Sequence, residues 1–203
     1  MDGVVIVGSG GHAKVVIATA QAMGFAVRTI VDDDPARHGQ RILGVEVTGP
    51  SAPILADPGQ HAVLAIGANR VRQKLAATAR CRFATLVHPS AIVHHTVRLG
   101  AGTVVFAGVV LQPDTVVGAH AIVNTGASID HDGTIGDFVH VAPGARLAGN
   151  VTLGEGVFLG IGAAAIPGSQ VGAWTTVGAG GTVIADLPPG VVAVGTPARP
   201  LRR

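Results

Sequence analysis

Aromatic and charged residues are scarce in this chain of 203 residues. Phe and Trp make up 3% of it, Tyr is absent, and Asp, Glu, Lys and Arg together make up 13%. Proteins that bind single-stranded nucleic acid stack bases on aromatic side chains beside basic ones. This composition and the net charge of +2 therefore give little support to nucleic-acid binding.

The chain has a single cysteine and no long apolar run. Cys81 is the only cysteine, which excludes a disulfide framework and favours a reducing compartment. Valine-rich runs such as VVFAGVV are too short to cross a bilayer, and the first residues lack the basic start of a signal peptide. We therefore expect a cytoplasmic protein without a membrane span.

A six-residue repeat dominates what is present. It runs from Leu86 to Leu187 through 17 uninterrupted hexads, and the second place is Val, Leu or Ile in all of them except at Ala165. Each hexad predicts one side of a triangular coil whose aliphatic side chain points inward, and stacked coils bury it. The sequence thus predicts a parallel β-helix of between five and six coils.

Glycine follows a second period of 18 residues, which is three hexads or one coil. Two series show it: Gly100, Gly118, Gly136, Gly154 and Gly172, then Gly108, Gly126, Gly144, Gly162 and Gly180. We predict that these residues form corners that need a positive φ or a close backbone approach.

A different pattern precedes the repeat. Strand patterns at 4–7, 26–31 and 62–66 alternate with helical patterns at 12–23 and 69–78, and a strand at 82–87 leads into the hexads. This alternation predicts a small, largely parallel α/β sheet. We expect two domains, over 1–85 and 86–203.

The first strand runs into a loop suited to phosphate. Gly8, Gly10 and Ala13 form a G-x-G-x-x-A pattern between a strand and a helix, where backbone N–H groups and the helix dipole favour an anion. Asp32, at the tip of the next strand, is placed to hold a ribose hydroxyl. We expect one mononucleotide unit; a glycine turn packed on its own helix is the structural alternative.

Motifs in both halves point to one family. They are GSGGHAKVV, AIGANR, LVHPSA, NTGASIDHD, FVHVAPGA and VGTPAR. On these motifs the chain resembles, essentially end to end, the sialic acid O-acetyltransferase (NeuD-type) family, which includes PglD-like N-acetyltransferases of nucleotide-linked amino sugars. The resemblance implies an N-terminal Rossmann-like sugar-nucleotide domain, a left-handed parallel β-helix, and homotrimers that bind acetyl-CoA between neighbouring helices.

His131 is the candidate catalytic base. It lies between Asp130 and Asp132, and a histidine held by a carboxylate suits proton transfer near neutral pH. The resemblance implies that His131 is the base, that Asp130 orients it and that Asn124 belongs to the acceptor site. Asp132 is the alternative orienting residue.

The resemblance also implies residues for both substrates. Those for acetyl-CoA are His140, Gly149, Gly178, Gly180 and Gly195, with the amide of Gly149 at the thioester oxygen. Those for the nucleotide-linked sugar are Gly8, Gly10, Gly11, His12, Asp32, Gly67 and Asn69.

These expectations describe direct acetyl transfer from acetyl-CoA to the amino group of a UDP- or GDP-linked 4-amino sugar in bacterial surface-glycan synthesis. O-acetylation of sialic acid or a related sugar is the alternative. A lyase like the γ-carbonic anhydrases would need several histidines that converge on a zinc ion. His95 and His131 are two coils apart, but position 136, where a further histidine ligand would be needed, is glycine. We therefore expect no metal site. A non-catalytic binding protein is a further alternative, and the presence of His131 disfavours it, because such a protein would not need a catalytic base.

Overall fold

The computed structural model describes residues 3–201, and the first part of them forms an α/β unit. Its elements are β1 (Val4–Val7), α1 (Gly11–Ala22), β2 (Val27–Val31), a 3₁₀ turn (Pro35–Arg37), β3 (Arg41–Ile42), β4 (Val45–Glu46), α2 (Ala52–Ala56), β5 (His61–Leu64), α3 (Asn69–Thr78) and β6 (Arg82–Phe83). Strands β2, β1, β5 and β6 form a parallel sheet in that order. This is the expected Rossmann-like arrangement.

The short elements of this unit were not predicted. The 3₁₀ turn, strands β3 and β4 of a hairpin, and α2 span two to five residues each, which is too short to show a periodic pattern. The single strand predicted over 82–87 is wrong. The chain leaves β6 and enters a different sheet at Leu86, because residues 84–85 carry it from the α/β unit into the β-helix.

The second part is a left-handed parallel β-helix. Its strands are β7 (Leu86–Val87), β8 (Ile92–Val93), β9 (Arg98–Leu99), β10 (Val104–Val105), β11 (Val110–Leu111), β12 (Val116–Val117), β13 (Ile122–Val123), β14 (Ser128–Ile129), β15 (Thr134–Ile135), β16 (His140–Val141), β17 (Arg146–Leu147), β18 (Thr152–Leu153), β19 (Phe158–Leu159), β20 (Ala164–Ala165), β21 (Gln170–Val171), β22 (Thr176–Val177), β23 (Thr182–Val183), β24 (Val192–Val194) and β25 (Arg199–Pro200).

Every third strand stacks on the same side of this helix, which gives three faces. The first face runs from β7 to β22 and continues into β24 and the antiparallel β25, the second runs from β8 to β23, and the third from β9 to β21. The first face therefore has seven parallel strands and is longer than the hexads predict, because β24 extends it after the last hexad. The predicted boundary between residues 85 and 86 stays a prediction, and residues 1–2 and 202–203 lie outside the described residues.

The interior of the β-helix is filled by the second residue of each hexad. Val105, Val123, Val141, Leu159 and Val177 form one such column and are each 0% exposed. Neighbouring residues of a column are 18 positions apart and pair in parallel, as in Val123 with Val141. The buried aliphatic side chains form one continuous core along the helix axis.

The α/β unit packs on the first face. Val16 and Ile17 of α1 share a buried core with Val104, Phe106 and Ile122 of that face. The edge between the second and third faces, which we call the far edge (residues 112–115, 130–133, 148–151 and 166–169), lies opposite the first face in a three-sided helix. The two parts of the chain thus meet on one side, and the far edge is on the other.

Candidate active site

A cavity of about 470 Å³ opens at the carboxyl ends of β1, β2 and β5. This is where open parallel sheets bind their ligands. Six of the seven residues predicted for the nucleotide-linked sugar line it: Gly8, Gly10, Gly11, His12, Asp32 and Gly67.

The glycine loop forms one wall of this cavity. Gly8 has a φ of +101°, and a Cβ there would lie 2.9 Å from Cγ1 of Ile66, so only glycine fits between β1 and the chain after β5. Helix α1 begins at Gly11, with Gly10 as its N-cap. Its free N–H groups and the positive end of its dipole make this wall suitable for a diphosphate.

Asp32 stabilises the loop from within the chain. Its Oδ2 accepts hydrogen bonds from the backbone N of Ser9 at 2.7 Å and from the Ser9 hydroxyl at 2.5 Å, and its Oδ1 accepts from the backbone N of Asp34 at 3.0 Å. Burial alone would raise the pKa of Asp32, but these hydrogen bonds outweigh it and lower the pKa. The predicted bond of Asp32 to a ribose hydroxyl stays a prediction.

Three polar side chains meet between the cavity and the first face. The Nε2 of His140 lies 3.1 Å from Nδ2 of Asn124, and its Nδ1 lies 3.4 Å from the carbonyl oxygen of Gly67. The neutral ring therefore accepts from Asn124 and donates to Gly67. The ring of His12 lies 6.1 Å from that of His140, and its buried Nε2 has no partner among the described residues.

Burial keeps these histidines uncharged. Burial first, and the positive charge of Arg72 second, lower the pKa of both His12 and His140 to about 4. The predicted contact of His140 with acetyl-CoA stays a prediction, and a ring nitrogen would have to exchange its present partner to make it.

Arg72 ties the cavity to the β-helix and was not predicted. Its side chain is 1% exposed and donates to the carbonyl oxygens of Ile66 at 2.9 Å, Gly67 at 3.0 Å and Phe138 at 2.8 Å. Burial lowers its pKa to about 10, so it remains charged. Its position within the helical pattern after AIGANR gave no signal of this role, because the carbonyl partners at Phe138 and His120 lie far along the sequence.

His131 lies on the far edge, with its side chain 54% exposed. Its Nδ1 is 2.7 Å from Oδ2 of Asp132, whereas Asp130 accepts a hydrogen bond from the backbone N of His131 at 2.8 Å. The expectation that Asp130 orients the ring is therefore corrected: Asp132 does so, because the Asp130 carboxylate is turned to the backbone. The hydrogen bond with Asp132 is the main cause that raises the pKa of His131.

Gly149 stacks on His131 one coil further along. A Cβ at this position would lie 2.5 Å from Nε2 of His131, so the absence of a side chain leaves room for the ring. The amide of Gly149 makes no hydrogen bond with residues 3–201, whereas the amide of Asn150 donates to the carbonyl oxygen of His131. A free N–H beside the imidazole is suited to a developing oxyanion.

The other predicted acetyl-CoA residues lie elsewhere. Gly178 and Gly180 form the edge between the first and second faces at the last complete coil, and Gly195 follows β24 next to them. Asn69 lines a second cavity of about 440 Å³, where its amide donates to the carbonyl oxygens of Gly156 and Val157. This cavity is also lined by Trp174, whose ring lies 3.4 Å from the guanidinium of Arg70.

Apart from Asn69, Gly178, Gly180 and Gly195, the predicted site residues thus form two groups on different sides of the chain. The cavity, His140 and Asn124 lie at the first face and its edges, and His131, its two carboxylates and Gly149 lie on the far edge. Within residues 3–201 no three His, Cys, Asp or Glu side chains are grouped to hold a metal ion. None of the helices described has the length and apolar character that a membrane-spanning helix needs.

Comparison with known proteins places the chain among nucleotide-sugar acetyltransferases. The model of the PglD N-terminal domain family matches residues 3–79. PerB from Caulobacter crescentus, solved with CoA and GDP-perosamine, is 48% identical with a TM-score of 0.92, over 98% of this chain and 97% of that one. The acetyltransferase domain of PglB from Neisseria gonorrhoeae FA1090 is 36% identical with a TM-score of 0.92, over 99% and 100%.

A curated relative matches over a shorter stretch. UDP-N-acetylbacillosamine N-acetyltransferase of Bacillus subtilis (strain 168) is 42% identical over 112 residues, which is 51% of this chain and 51% of that protein. The match thus spans about half the length of this relative. The Rossmann-like unit, the left-handed hexapeptide β-helix and these relatives together place the chain in the class of sugar acetyltransferases that use acetyl-CoA. Within this class the chain belongs to the PglD-like family of nucleotide-sugar N-acetyltransferases.

Proposed function

We propose that the chain transfers the acetyl group of acetyl-CoA to the amino group of a UDP- or GDP-linked 4-amino sugar, in the cytoplasm and for bacterial surface-glycan synthesis. The observation that carries this proposal is the glycine-loop cavity on the same chain as the His131–Asp132 pair. Its support is the full-length similarity to PerB, whose structure holds CoA and GDP-perosamine.

The pair of His131 and Asp132 suits direct transfer. Nε2 of His131 accepts a proton from the sugar amine as the amine nitrogen attacks the thioester carbonyl, and Asp132 stabilises the resulting imidazolium. The amide of Gly149 donates to the oxyanion, an interaction worth about 3 kcal/mol in other acyl transfers. The C–N bond forms, the C–S bond breaks, and His131 returns the proton to the thiolate of CoA.

A second copy of the chain completes this site in the proposal. The glycine-loop cavity faces one side of the β-helix and His131 the opposite edge, which supports a site where the sugar held by one chain meets the His131 of another. A closed ring of three copies presents each cavity to a neighbouring far edge. We therefore propose a homotrimer with its active sites between subunits.

The test is acetyl-CoA-dependent thiol release with UDP- and GDP-linked 4-amino sugars and free sialic acid as acceptors. His131→Ala is expected to lower kcat by about 10²- to 10⁴-fold with the amino sugar. His95→Ala is the matched control, since His95 holds the same place in the repeat two coils earlier and is expected to leave the rate unchanged. Turnover of sialic acid alone, or full activity of His131→Ala, would contradict the proposal.

A further inference from the structure

The glycine-loop cavity, which is the proposed nucleotide site, has an acidic end to which the proposed function assigns no role. Asp32 and Asp33 at the end of β2 and Ser51 before α2 line it. Asp32 is hydrogen-bonded to Ser9 of the glycine loop, and Asp33 to Ser51. No lysine or arginine of residues 3–201 is among its lining residues. A diphosphate on the glycine loop would therefore direct its nucleoside towards carboxylates.

Asp33 keeps more unused acceptor capacity for a ligand than Asp32 does. Both oxygens of Asp32 already accept hydrogen bonds from Ser9 and Asp34. Asp33 has Ser51 as its partner: its Oδ1 accepts from the backbone N at 2.8 Å and from the hydroxyl at 2.9 Å. The same hydroxyl lies 3.1 Å from Oδ2 but has a single proton, so Oδ2 keeps unused acceptor capacity.

A base that suits this end must donate hydrogen bonds. Guanine has two adjacent donors, N1–H and the N2 amino group, which match the two oxygens of a carboxylate. Uracil has one N–H between two carbonyl oxygens, and those oxygens would face the negative charge. The apolar wall formed by Ile66, Val71 and Leu75 can cover the face of either base, so Asp33 makes the difference.

We propose that Asp33 selects guanine, so that the substrate is a GDP-linked amino sugar; this inference rests on the proposed function. The two kinds of nucleotide occur in the names of similar proteins, as GDP-perosamine and UDP-N-acetylbacillosamine, so similarity alone leaves the base open. A well-formed pair of hydrogen bonds to a base edge discriminates by about 1–3 kcal/mol, which is roughly 5- to 150-fold in Kd.

The test is calorimetric binding of GDP, UDP and xanthosine diphosphate to the full chain. The wild type is expected to bind GDP at least about 10-fold more tightly than the other two. Asp33→Asn is expected to lose that preference and to bind xanthosine diphosphate more tightly than the wild type does. The amide introduced by Asp33→Asn can donate to O2 of xanthine and accept from its N1–H. With guanine, the NH₂ of the amide would face the N2 amino group, and two donors repel each other. This gain of binding cannot come from a misfolded variant.

Asp57→Asn is the matched control, because Asp57 lies outside the cavity and its partners are Gly59 and Gln60. Its nucleotide preference should equal that of the wild type. Equal or tighter binding of UDP by the wild type, with acetyl transfer to a UDP-linked amino sugar intact, would overturn the choice of guanine and leave the proposed function standing. Unchanged GDP binding by Asp33→Asn would overturn the role of Asp33. Binding of none of the nucleotides would overturn both proposals.

Discussion

The imidazole of His131 is set for proton transfer by the residue that follows it. Asp132 has a φ of 58°, which is the left-handed conformation of a corner, and its carboxylate contacts Nδ1 of the ring. This leaves Nε2 as the acceptor, directed to the side where Gly149 leaves space. Neighbouring residues in the sequence thus fix both the tautomer and the basicity of the ring.

This pair predicts a specific pH dependence. A base with a raised pKa loses activity as the pH falls through that pKa, so the acidic limb of kcat should lie above the ordinary value for histidine. Asp132→Asn replaces the carboxylate whose hydrogen bond is the largest cause of the shift by a neutral and weaker acceptor, so the limb should move to lower pH while the plateau of kcat falls. The measurement is the pH profile of kcat.

Asp130→Asn serves as the control for this profile, because its amide oxygen can still accept from the backbone N of His131. It removes only the weaker effect of the Asp130 charge on the pKa, so its limb should move less. A larger displacement by Asp130→Asn than by Asp132→Asn would contradict the assignment of Asp132 as the orienting residue.

The position of the His131 ring depends on the residue that stacks on it in the next coil, 18 residues later. Gly149 follows His131 by one coil, and its φ lies outside the left-handed region, so its role is the space it leaves. Gly149→Ala should displace the imidazole and lower kcat by about 10²-fold, since misplacement of a reacting group by about 1 Å has that effect. Kinetics together with the urea midpoint of unfolding measure this, and the midpoint should change little.

Gly168→Ala, on the same far edge, is the control for Gly149→Ala, because it changes the backbone without crowding the imidazole. Gly168 has a φ of +74°, and no other atom lies within 4 Å of the place that a Cβ would take, so alanine there strains the backbone without touching the ring. It should cost about 1 kcal/mol of stability and leave kcat unchanged. A loss of kcat in Gly168→Ala equal to that in Gly149→Ala would show that any backbone change at this edge suffices.

The sequence predicts the coils well because their information is local and periodic. The 18-residue spacing alone shows that Gly149 stacks on His131, and α3 is found over the residues predicted for it. The choice between Asp130 and Asp132 could not be made from the sequence, since both flank the histidine and only the corner geometry separates them. The carbonyl partners of Arg72 could not be predicted either, because they depend on how two parts of the chain pack together.

The contact between these two parts should make stability depend on pH. His120 and His140 are buried there and His12 is half-buried, and loss of solvation is the largest cause that lowers the pKa of each to about 4. Between pH 6.5 and 4 the unfolded chain therefore binds more protons than the folded one, and stability falls as the pH falls. One pKa unit corresponds to about 1.4 kcal/mol, so the three groups together remove several kcal/mol.

His120→Phe tests this at one position. His120 stacks on Phe138, which holds the same corner place one coil later with a similar φ of 58° against 53°, so the backbone accepts phenylalanine there. The variant also removes the buried Nδ1 that has no partner among the described residues. Its loss of stability between pH 7 and pH 5, measured by urea unfolding, should be smaller than that of the wild type. An equal loss would show that His120 titrates normally in the folded chain.

The two proposed parts of the active site lie on opposite sides of the chain. The α/β unit and the first face share one core, which fixes the glycine-loop cavity on that side. The far edge carries the proposed base and oxyanion donor. Each chain in the proposed trimer would thus give its cavity to one site and its His131 to another.

Coassembly of two impaired variants tests this arrangement. His131→Ala removes the base, and Gly10→Asp puts a carboxylate at the phosphate wall; nothing obstructs a Cβ at Gly10, and aspartate is favoured at an N-cap. Alone, Gly10→Asp should be inactive and His131→Ala should be at least about 10²-fold less active than the wild type. Coexpressed in equal amounts, they should give about a quarter of the wild-type activity, because about one site in four combines an intact loop with an intact histidine from a neighbour. A site within one chain would give no such recovery, since every chain carries one defect.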